Sequence, residues 1–344
     1  MIPSRYPSDG SSANSFAGYL NWIYKANDRL TINGGLRLTS SKIVARWNDS
    51  AQIDKLLTTV DLQSEALTYT LAMTYRPDEK WQINSLISSG FRNPNIDDIG
   101  KIRENNGILL VPNSFLKPEY AYTLESGIKH TSSNKINYID LRAFTTLVSR
   151  HIVRSDFIVF SDTSTLNEDT ILYNKEEVFT QANKNLGNRF IYGGSLQGKW
   201  VLSDPIEISG GITYTTADQN ADYGPMPSIA PLFGTFTLSH EIKNWKTFLI
   251  WKFSDQKLPA DYSWGGEDGL NETPLVNSNA TGEINKYYGM PSWNTWSILS
   301  QYQFRKSFIL NVGVKNIFDL HYRTFASGIS AEGRSLQLGV KVKI

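Results

Sequence analysis

The sequence predicts an all-β protein whose strands form a transmembrane antiparallel β-barrel wall, and three observations support this prediction. Apolar and polar residues alternate with a period of two in many segments of about ten residues, which is the length and pattern of a strand that crosses an outer membrane. Short turns and long connections alternate along the chain. Aromatic residues make up 12% of the composition, which suits a wall that faces lipid on one side and water on the other.

The alternation is clearest in the last strand, where apolar residues from Leu336 to Ile344 occupy every second position up to the end of the chain. Twelve earlier segments repeat the pattern, so we predict about thirteen strands. Their apolar residues of one parity, in chain order, are Phe16, Leu20, Trp22 and Tyr24; Leu30, Ile32, Leu36 and Leu38; Tyr69, Leu71, Met73 and Tyr75; Trp81, Ile83 and Ile87; Tyr122, Leu124 and Ile128; Ile139, Leu141 and Leu147; Tyr192, Leu196 and Trp200; Ile206, Ile208, Ile212 and Tyr214; Phe236 and Leu238; Leu249, Trp251 and Phe253; Trp296, Ile298, Tyr302 and Phe304; and Phe308, Leu310, Val312 and Val314.

The connections between these strands fall into two length classes. Short turns lie near 27–29, 77–80, 132–134, 203–205, 243–244 and 305–307, and long segments near 41–63, 92–119, 149–188, 217–232, 255–293 and 320–333. This alternation is expected when one rim faces the periplasm and the other faces outside. A soluble β-sandwich has no reason to sort its loops by length in this way. Aromatic residues at positions that the alternation predicts to face lipid flank the short turns, as in an interfacial aromatic girdle. They are Trp22, Tyr24, Tyr75, Trp81, Trp200, Trp245, Phe304 and Phe308.

The chain is predicted to be one unit, 1–344, because no linker or charge run divides it. Thirteen strands would place the first and last strands parallel to each other, whereas single-chain bacterial barrels close antiparallel with an even number of strands. An unpaired edge in lipid costs several kcal/mol for each orphaned backbone group. We therefore expect the chain to be the C-terminal part of a larger barrel, and 344 residues alone to fail to close one.

Several functions are disfavoured by composition. The 34 basic and 33 acidic residues balance, which argues against nucleic acid as a partner. No cysteine ligand set, nucleotide loop or calcium loop is present, so we predict no cofactor, no metal site and no enzymatic activity. Of the four histidines, His130 and His240 are predicted at periplasmic strand ends, while His151 and His321 lie on the outer side. A triad of His151 with Ser155 and Asp156 would need a geometry that nearness in sequence does not supply.

Two motifs of the chain are SGFRNPNIDDIGK from Ser89 and VPNSFLKPEYAYTLESGIKH from Val111. They resemble the paired motifs that border one large extracellular loop in TonB-dependent outer-membrane receptors. NVGVKNIFDLHYR from Asn311 and SGISAEGRSLQLGV from Ser327 are similar to the family's last two strands. The matching motif residues are Phe91, Arg92, Pro94, Leu116, Lys117, Pro118, Glu119 and Glu125.

The resemblance implies a barrel of twenty-two strands around a plug. The present strands would be its C-terminal thirteen, and the plug, its TonB-contacting segment and about nine strands would be missing from this chain. A thirteen-strand portion would begin with a strand that runs towards the periplasm, in agreement with the turn lengths.

The motif residues also have a physical interpretation of their own. Arg92 and Glu119 are predicted to face the lumen near the outer rim, where an ion pair could anchor the ends of the loop between them and offset its closure entropy. Direct contact of Arg92 with a ligand is the alternative. Pro94 and Pro118 cannot donate to a strand ladder and should mark where pairing stops.

The function implied by the resemblance is active import across the outer membrane, with a scarce ligand captured by the outer loops and released by energy from the TonB complex through the plug. The motifs are most similar to Bacteroidetes receptors grouped with haem and haemoglobin receptors, yet 93–118 contains no histidine. A ferric siderophore and a haem-type ligand both remain open. A passive porin or adhesin and a soluble carbohydrate-binding β-protein are the alternatives. The candidate ligand-binding residues are Arg92, His151, Tyr262, Trp264, Tyr287, Tyr288 and His321; Trp293 belongs to the same aromatic segment and could serve only to pack the loops.

Overall fold

The structure, a computed structural model, describes residues 6–46, 59–99, 102–105, 107–158, 170–173, 176–220, 222–276, 287–305 and 307–342. These residues form strands almost throughout. In chain order the strands are β1 (Ser11–Lys25), β2 (Leu30–Arg46), β3 (Thr59–Tyr75), β4 (Trp81–Arg92), β5 (Arg103–Asn105), β6 (Ile108–Leu110), β7 (Glu119–Thr131), β8 (Tyr138–Ser149), β9 (Ile152–Asp156), β10 (Thr170–Tyr173), β11 (Glu176–Asn185), β12 (Arg189–Ser203), β13 (Ile206–Ala217), β14 (Phe233–Ile242), β15 (Trp245–Ser254), β16 (Trp293–Arg305), β17 (Phe308–Lys315) and β18 (Ser335–Val342).

Thirteen strands form one antiparallel sheet, which we call the wall. Its order is β1-β2-β3-β4-β7-β8-β12-β13-β14-β15-β16-β17-β18, so each wall strand pairs with the next one along the chain. β1 and β18 stand at the two ends of this order, and within the described residues they do not pair with each other. The predicted set of thirteen strands is confirmed, including its antiparallel up-and-down course.

The wall presents its apolar residues on the outside. Many of the side chains assigned to that parity are exposed, from Leu36 (51%) and Leu71 (47%) to Leu338 (77%), and others, such as Phe236 and Leu249, are partly buried. In the described part of the chain no second sheet packs on this face, which excludes the β-sandwich. A surface of this kind is stable against lipid and not against water. The predicted girdle residues at the short-turn end are all exposed as well.

The short turns are closed by local hydrogen bonds from side chains. Asp78 Oδ1 accepts the backbone N–H groups of Lys80 at 2.8 Å and Trp81 at 2.9 Å, and Asn27 Oδ1 accepts those of Arg29 and Leu30 at 2.8 and 2.9 Å. Asn and Asp favour tight turns because they supply this kind of bond. These turns define the periplasmic rim.

One of the long connections is shorter than predicted. Residues 41–63 were expected to be a loop, but β2 and β3 stay paired from Leu30↔Tyr75 to Arg46↔Thr59. The outer parts of these strands include polar residues that pair across the ladder, such as Lys42 with Asp61 at 2.8 Å. The apolar alternation that identified the strands therefore ends before the hydrogen-bonded pairing does.

Two of the long connections fold together into a second sheet, which the sequence did not predict. β5, β6, β9, β10 and β11 pair in this outer sheet, and β6 lies parallel to β11 although about seventy residues separate them. Two buried apolar clusters include residues of this sheet. One contains Ala45, Val60, Ile99, Leu116 and Ile152, and the other contains Leu109, Val111, Tyr173, Val178 and Ala182.

Helical structure is sparse in the described residues. It consists of the one-turn helix α1 (Ile96–Ile99) and the 3-10 turns Pro259–Asp261 and Leu270–Glu272. Not one of these is both long enough and apolar enough to cross a membrane. All three lie in long connections at the outer rim.

Candidate ligand-binding face at the outer end

Arg92 and Glu119 lie at the ends of β4 and β7 and are partners in the ladder, as expected from their motifs. Their side chains approach to 3.8 Å, from Arg92 Nε to Glu119 Oε1. The shorter contact of Arg92 is to Asp98 Oδ2 at 2.7 Å, which the sequence did not predict. Glu119 also accepts the backbone N–H of Ile152 at 2.7 Å. The pair thus belongs to a network that ties α1 and β9 to the rim, and pairing ends next to Pro94 and Pro118 as predicted.

Three other motif residues, Leu116, Phe91 and Glu125, make contacts within the fold. Leu116 is buried in the apolar cluster that contains Ile99 and Ile152, and Phe91 contacts Tyr120 with ring centroids 6.3 Å apart. Glu125 faces the lumen and lies 3.5 Å from Arg142.

Asn185 joins the two long connections that form the outer sheet. Its Nδ2 donates to the carbonyl oxygens of Lys117 at 2.9 Å and Arg150 at 2.8 Å, and its Oδ1 accepts the Lys117 N–H at 2.7 Å. Asn113 adds a bond from Nδ2 to the Asn183 carbonyl at 2.8 Å. One amide side chain therefore satisfies three backbone groups of different loops.

His151, predicted on the outer side as a candidate ligand-binding residue, is buried at 6% exposure. Its Nδ1 has no hydrogen-bond partner in the described part of the chain. Burial, together with the positive charges of Arg189 and Arg92, lowers the pKa of His151 to about 4, against a smaller opposing effect of Asp218. Arg189 is itself 2% exposed and paired with Asp218 at 3.0 Å. His151 is neutral here and shielded from a ligand.

Tyr262 and His321 line the same cavity, which has a volume of about 440 Å³ and lies between the connections that follow β15 and β17. This volume is in the range of small-molecule sites. His321 is exposed, with Nε2 2.8 Å from Ser330 Oγ, whereas Tyr262 is 3% exposed. Burial and the nearby Asp268 raise the pKa of the Tyr262 hydroxyl. The neutral phenol is thereby favoured over the phenolate that binds iron.

A buried ion pair lies beside this cavity, and it was not predicted from the sequence. Lys257 and Asp268 are 5% and 3% exposed, with Nζ and Oδ2 separated by 3.8 Å. Lys257 donates to the Ile229 carbonyl and lies over the rings of Phe325 and Tyr262, at 4.3 and 5.5 Å from their centroids. Burial lowers the pKa of Lys257, while Asp268 and Asp261 oppose this shift. Nothing in the alternation of the sequence marks these residues.

The remaining aromatic candidates do not join the cavity. Trp264 is 68% exposed and covers Gly224, whose φ of +69° and lack of a side chain permit that close approach. Tyr288 is exposed, and Tyr287 bridges to Leu275. Among the described residues, no group of three or more His, Asp or Glu side chains could hold a metal ion.

The fold is that of several solved transporters. The chain is similar to the copper transporter OprC (14% identity, TM-score 0.70, covering 96% of this chain and 48% of that one). It also resembles the siderophore receptor PirA from Acinetobacter baumannii (16% identity, TM-score 0.69, covering 96% of this chain and 55% of that one). A third similar structure is a double mutant of the Serratia marcescens hemophore receptor HasR, solved with its hemophore HasA and heme (14% identity, TM-score 0.70, covering 99% of this chain and 53% of that one). The chain thus spans about half the length of these structures.

The family assignment comes from the sequence itself. No curated protein shows significant similarity to the chain. Residues 1–317 match the family model described as "TonB dependent receptor-like, beta-barrel". The exposed apolar wall, the sorted turns and this match agree, and they exclude a soluble protein. The chain therefore belongs to the TonB-dependent receptor β-barrel family and lies in the bacterial outer membrane.

Proposed function

We propose that the protein takes part in active import, capturing an iron-containing ligand at its outer end for uptake energised by the TonB complex. The observation that carries this proposal is the outer end itself, where long connections form an ordered sheet and a cavity above the wall. A passive pore has no need for such a structure. The names of the similar receptors, which include siderophore and hemophore receptors, support iron as the cargo.

A ferric siderophore suits this half of the molecule better than haem bound through a protein ligand. Haem iron needs an axial His, Tyr, Met or Cys. His151 is buried, and the pKa of Tyr262 is raised, so neither is ready to ligate. His321 is the exposed outer histidine in the described part of the chain, and its Nε2 already contacts Ser330. A chelated iron brings its own ligands and requires none from the protein. The motif similarity to Bacteroidetes haem receptors favours haem, so haem is the second candidate.

The test compares both ligands on the receptor purified from the outer membrane. His321→Ala and the double variant His151→Ala/His321→Ala should leave the affinity for a ferric siderophore unchanged. His240→Ala, at the periplasmic end of β14, is the matched control. Loss or displacement of the haem Soret band in the double variant but not in the control would establish haem instead. Uptake that persists in cells with inactivated TonB would contradict active import.

A further inference from the structure

A β-bulge at the periplasmic end of β16 turns Arg305 out of the lumen. Gln303 pairs with Ile309 in the regular register of the lumen side. The next pair joins Arg305 with Phe308, so Phe304 is an extra residue in β16. Because paired residues of a ladder share one face of the sheet, Arg305 lies on the lipid-facing side with Phe308. Unbroken alternation would have placed it in the lumen, and bulges re-aim single side chains in this way.

Arg305 lies at the periplasmic end of an open groove on the outer surface of the wall. The groove has a volume of about 280 Å³, and its other lining residues are Phe304, Phe308, Ile309, Leu310 and Val340. Leu310 and its ladder partner Val340 follow Phe308 by two positions, or about 7 Å along the strand towards the membrane centre. The groove therefore offers one cation at the rim and an apolar floor that extends into the membrane.

Aromatic side chains place this groove at the level of the periplasmic membrane interface. Trp245 and Tyr302 contact each other with ring centroids 4.6 Å apart, and Tyr302 meets Phe304 edge to face, also at 4.6 Å. Trp and Tyr prefer the level of a bilayer at which the headgroups lie. Arg305 is thus presented to lipid phosphates, at a depth where a charge on the lipid-facing side costs little.

The lipid-facing side around Arg305 is positive. The Arg305 side chain is exposed and forms no ion pair with a described residue. The lipid-facing positions of β14 to β18 contain no aspartate or glutamate. Lys243, in the neighbouring turn, adds a second exposed cation at this rim. On the lumen side of the same strands, by contrast, Lys246 is paired with Glu241 at 3.0 Å.

A second bulge shows that the distortion alone does not create such a site. In β12 the register shifts at Leu202, and Ser203 comes to lie with Ile206 on the lipid-facing side of the same rim. Ser203 is uncharged and is followed by Asp204. The bulge in β12 therefore presents no cation to the membrane, and the arginine is particular to the bulge in β16.

We propose that the groove binds an anionic phospholipid of the periplasmic leaflet, with its phosphate on Arg305 and one acyl chain along Leu310 and Val340. Arginine suits phosphate because its planar guanidinium donates two parallel hydrogen bonds. A zwitterionic headgroup brings its own cation, which would meet no carboxylate on this side of β14 to β18. An anionic headgroup avoids that mismatch. The proposal is independent of the imported cargo and rests only on the location of the chain in the outer membrane.

The experiment is native mass spectrometry of the complete receptor, purified in detergent and titrated with dioleoylphosphatidylglycerol or dioleoylphosphatidylcholine. These lipids share their acyl chains and differ in headgroup charge. Arg305→Gln should weaken binding of the first phosphatidylglycerol about fivefold, the contribution expected of one basic residue at a membrane surface, and leave phosphatidylcholine binding nearly unchanged. Arg305→Lys should retain most of the affinity. Arg76→Gln, which removes an arginine that donates to Gln82 on the lumen side of the same rim, is the matched control and should have no effect.

The apolar floor is tested with Val340→Phe, which fills the groove and should weaken binding of both lipids. Leu336→Phe adds the same bulk to the same face of β18, nearer its outer end, and should not. Full retention of phosphatidylglycerol by Arg305→Gln, or an equal loss in Arg76→Gln, would overturn the proposal. If Arg305→Gln does not assemble, equal affinities of the two lipids for the unchanged receptor would overturn it. Displacement of phosphatidylglycerol by free glycerol phosphate would show that the headgroup binds without its chain, and would overturn the role of the groove.

Discussion

The wall and the outer end of this molecule place their apolar residues in opposite directions. In the wall, residues such as Leu71 and Leu338 point outward and remain exposed to lipid, and the strands are held by hydrogen-bonded ladders between chain neighbours. At the outer end, Ile99, Leu109 and Val178 are buried in the apolar clusters of the outer sheet and its connections, as in a water-soluble domain. The stability of the wall therefore depends on the surrounding lipid and on the register of its strands. The stability of the outer end depends on internal packing and on hydrogen bonds between loops.

Leu71→Arg gives the largest effect expected from this contrast, because it places a charge on the lipid face of β3. The cost should be about 2–4 kcal/mol of unfolding free energy near the middle of the bilayer. Thr70→Arg, one residue earlier and on the lumen side, is the control. Heat-modifiable electrophoretic mobility after refolding measures the yield of assembled barrel. Equal losses from both variants would mean that the two faces are misassigned.

Acid should loosen the outer end and spare the wall. The pKa of His151 is lowered to about 4 in the folded protein, from 6.5, so the unfolded loop binds the proton more readily. The stability from neutral His151 is complete above pH 6.5 and is lost as the pH falls towards 4, by up to about 3 kcal/mol. The protection factors of the amides at 150–156 and 176–189, which correct for the intrinsic pH dependence of exchange, should fall over this range, and His151→Gln should flatten the response. An unchanged pH profile in His151→Gln would show that another group is responsible.

Asn185→Ala should separate the two loops of the outer sheet. It removes three hydrogen bonds at 2.7–2.9 Å, and we expect a local loss of about 1–2 kcal/mol, because the freed backbone groups are partly reached by water. Faster amide exchange at 108–111 and 176–185 is the readout. Asn134→Ala, which removes three hydrogen bonds in a periplasmic turn, from the Ile136 and Asn137 N–H groups and from the Ser132 hydroxyl, should leave those amides unchanged. Protected amides in Asn185→Ala would refute the role of this residue.

Arg92→Ala is the mildest perturbation. Its contacts to Asp98 and Glu119 are partly exposed, and such pairs contribute about 1 kcal/mol or less. Proteolysis within 93–118 should increase while the barrel assembles normally. Arg142→Ala removes two comparable ion pairs on the wall, to Glu125 and Asp140, and should not change cleavage within 93–118. No difference between the two variants would mean that Arg92 does not anchor the loop.

The sequence predicted the wall well because its information is local. In each wall strand an apolar residue recurs at every second position, and each wall strand pairs with the next one along the chain. The position of residues such as Leu71 and Leu338 in this alternation was therefore enough to place them on the outside. The motif partners Arg92 and Glu119 were likewise found because they end adjacent strands.

The outer end could not be predicted in the same way. β6 has three residues, too few for a period, and its partner β11 lies about seventy residues away in a parallel arrangement. Lys257 and Asp268 belong to no alternating segment of the sequence, and their burial depends on how three connections pack together. His151 was placed on the outer side by its position, but only its burial in the folded chain shows that it is shielded.

The central claim is that two long outer connections form one body through the parallel pairing of β6 and β11. The chain contains no cysteine, so a double variant can test it directly. Ile108 and Phe179 are register partners and are both exposed, at 39% and 61%. Ile108→Cys/Phe179→Cys should form a disulfide in high yield upon mild oxidation of the receptor in its membrane, whereas Phe115→Cys/Phe179→Cys, which pairs Phe179 with a residue outside its register, should not. Equal and low yields in the two variants would contradict the account.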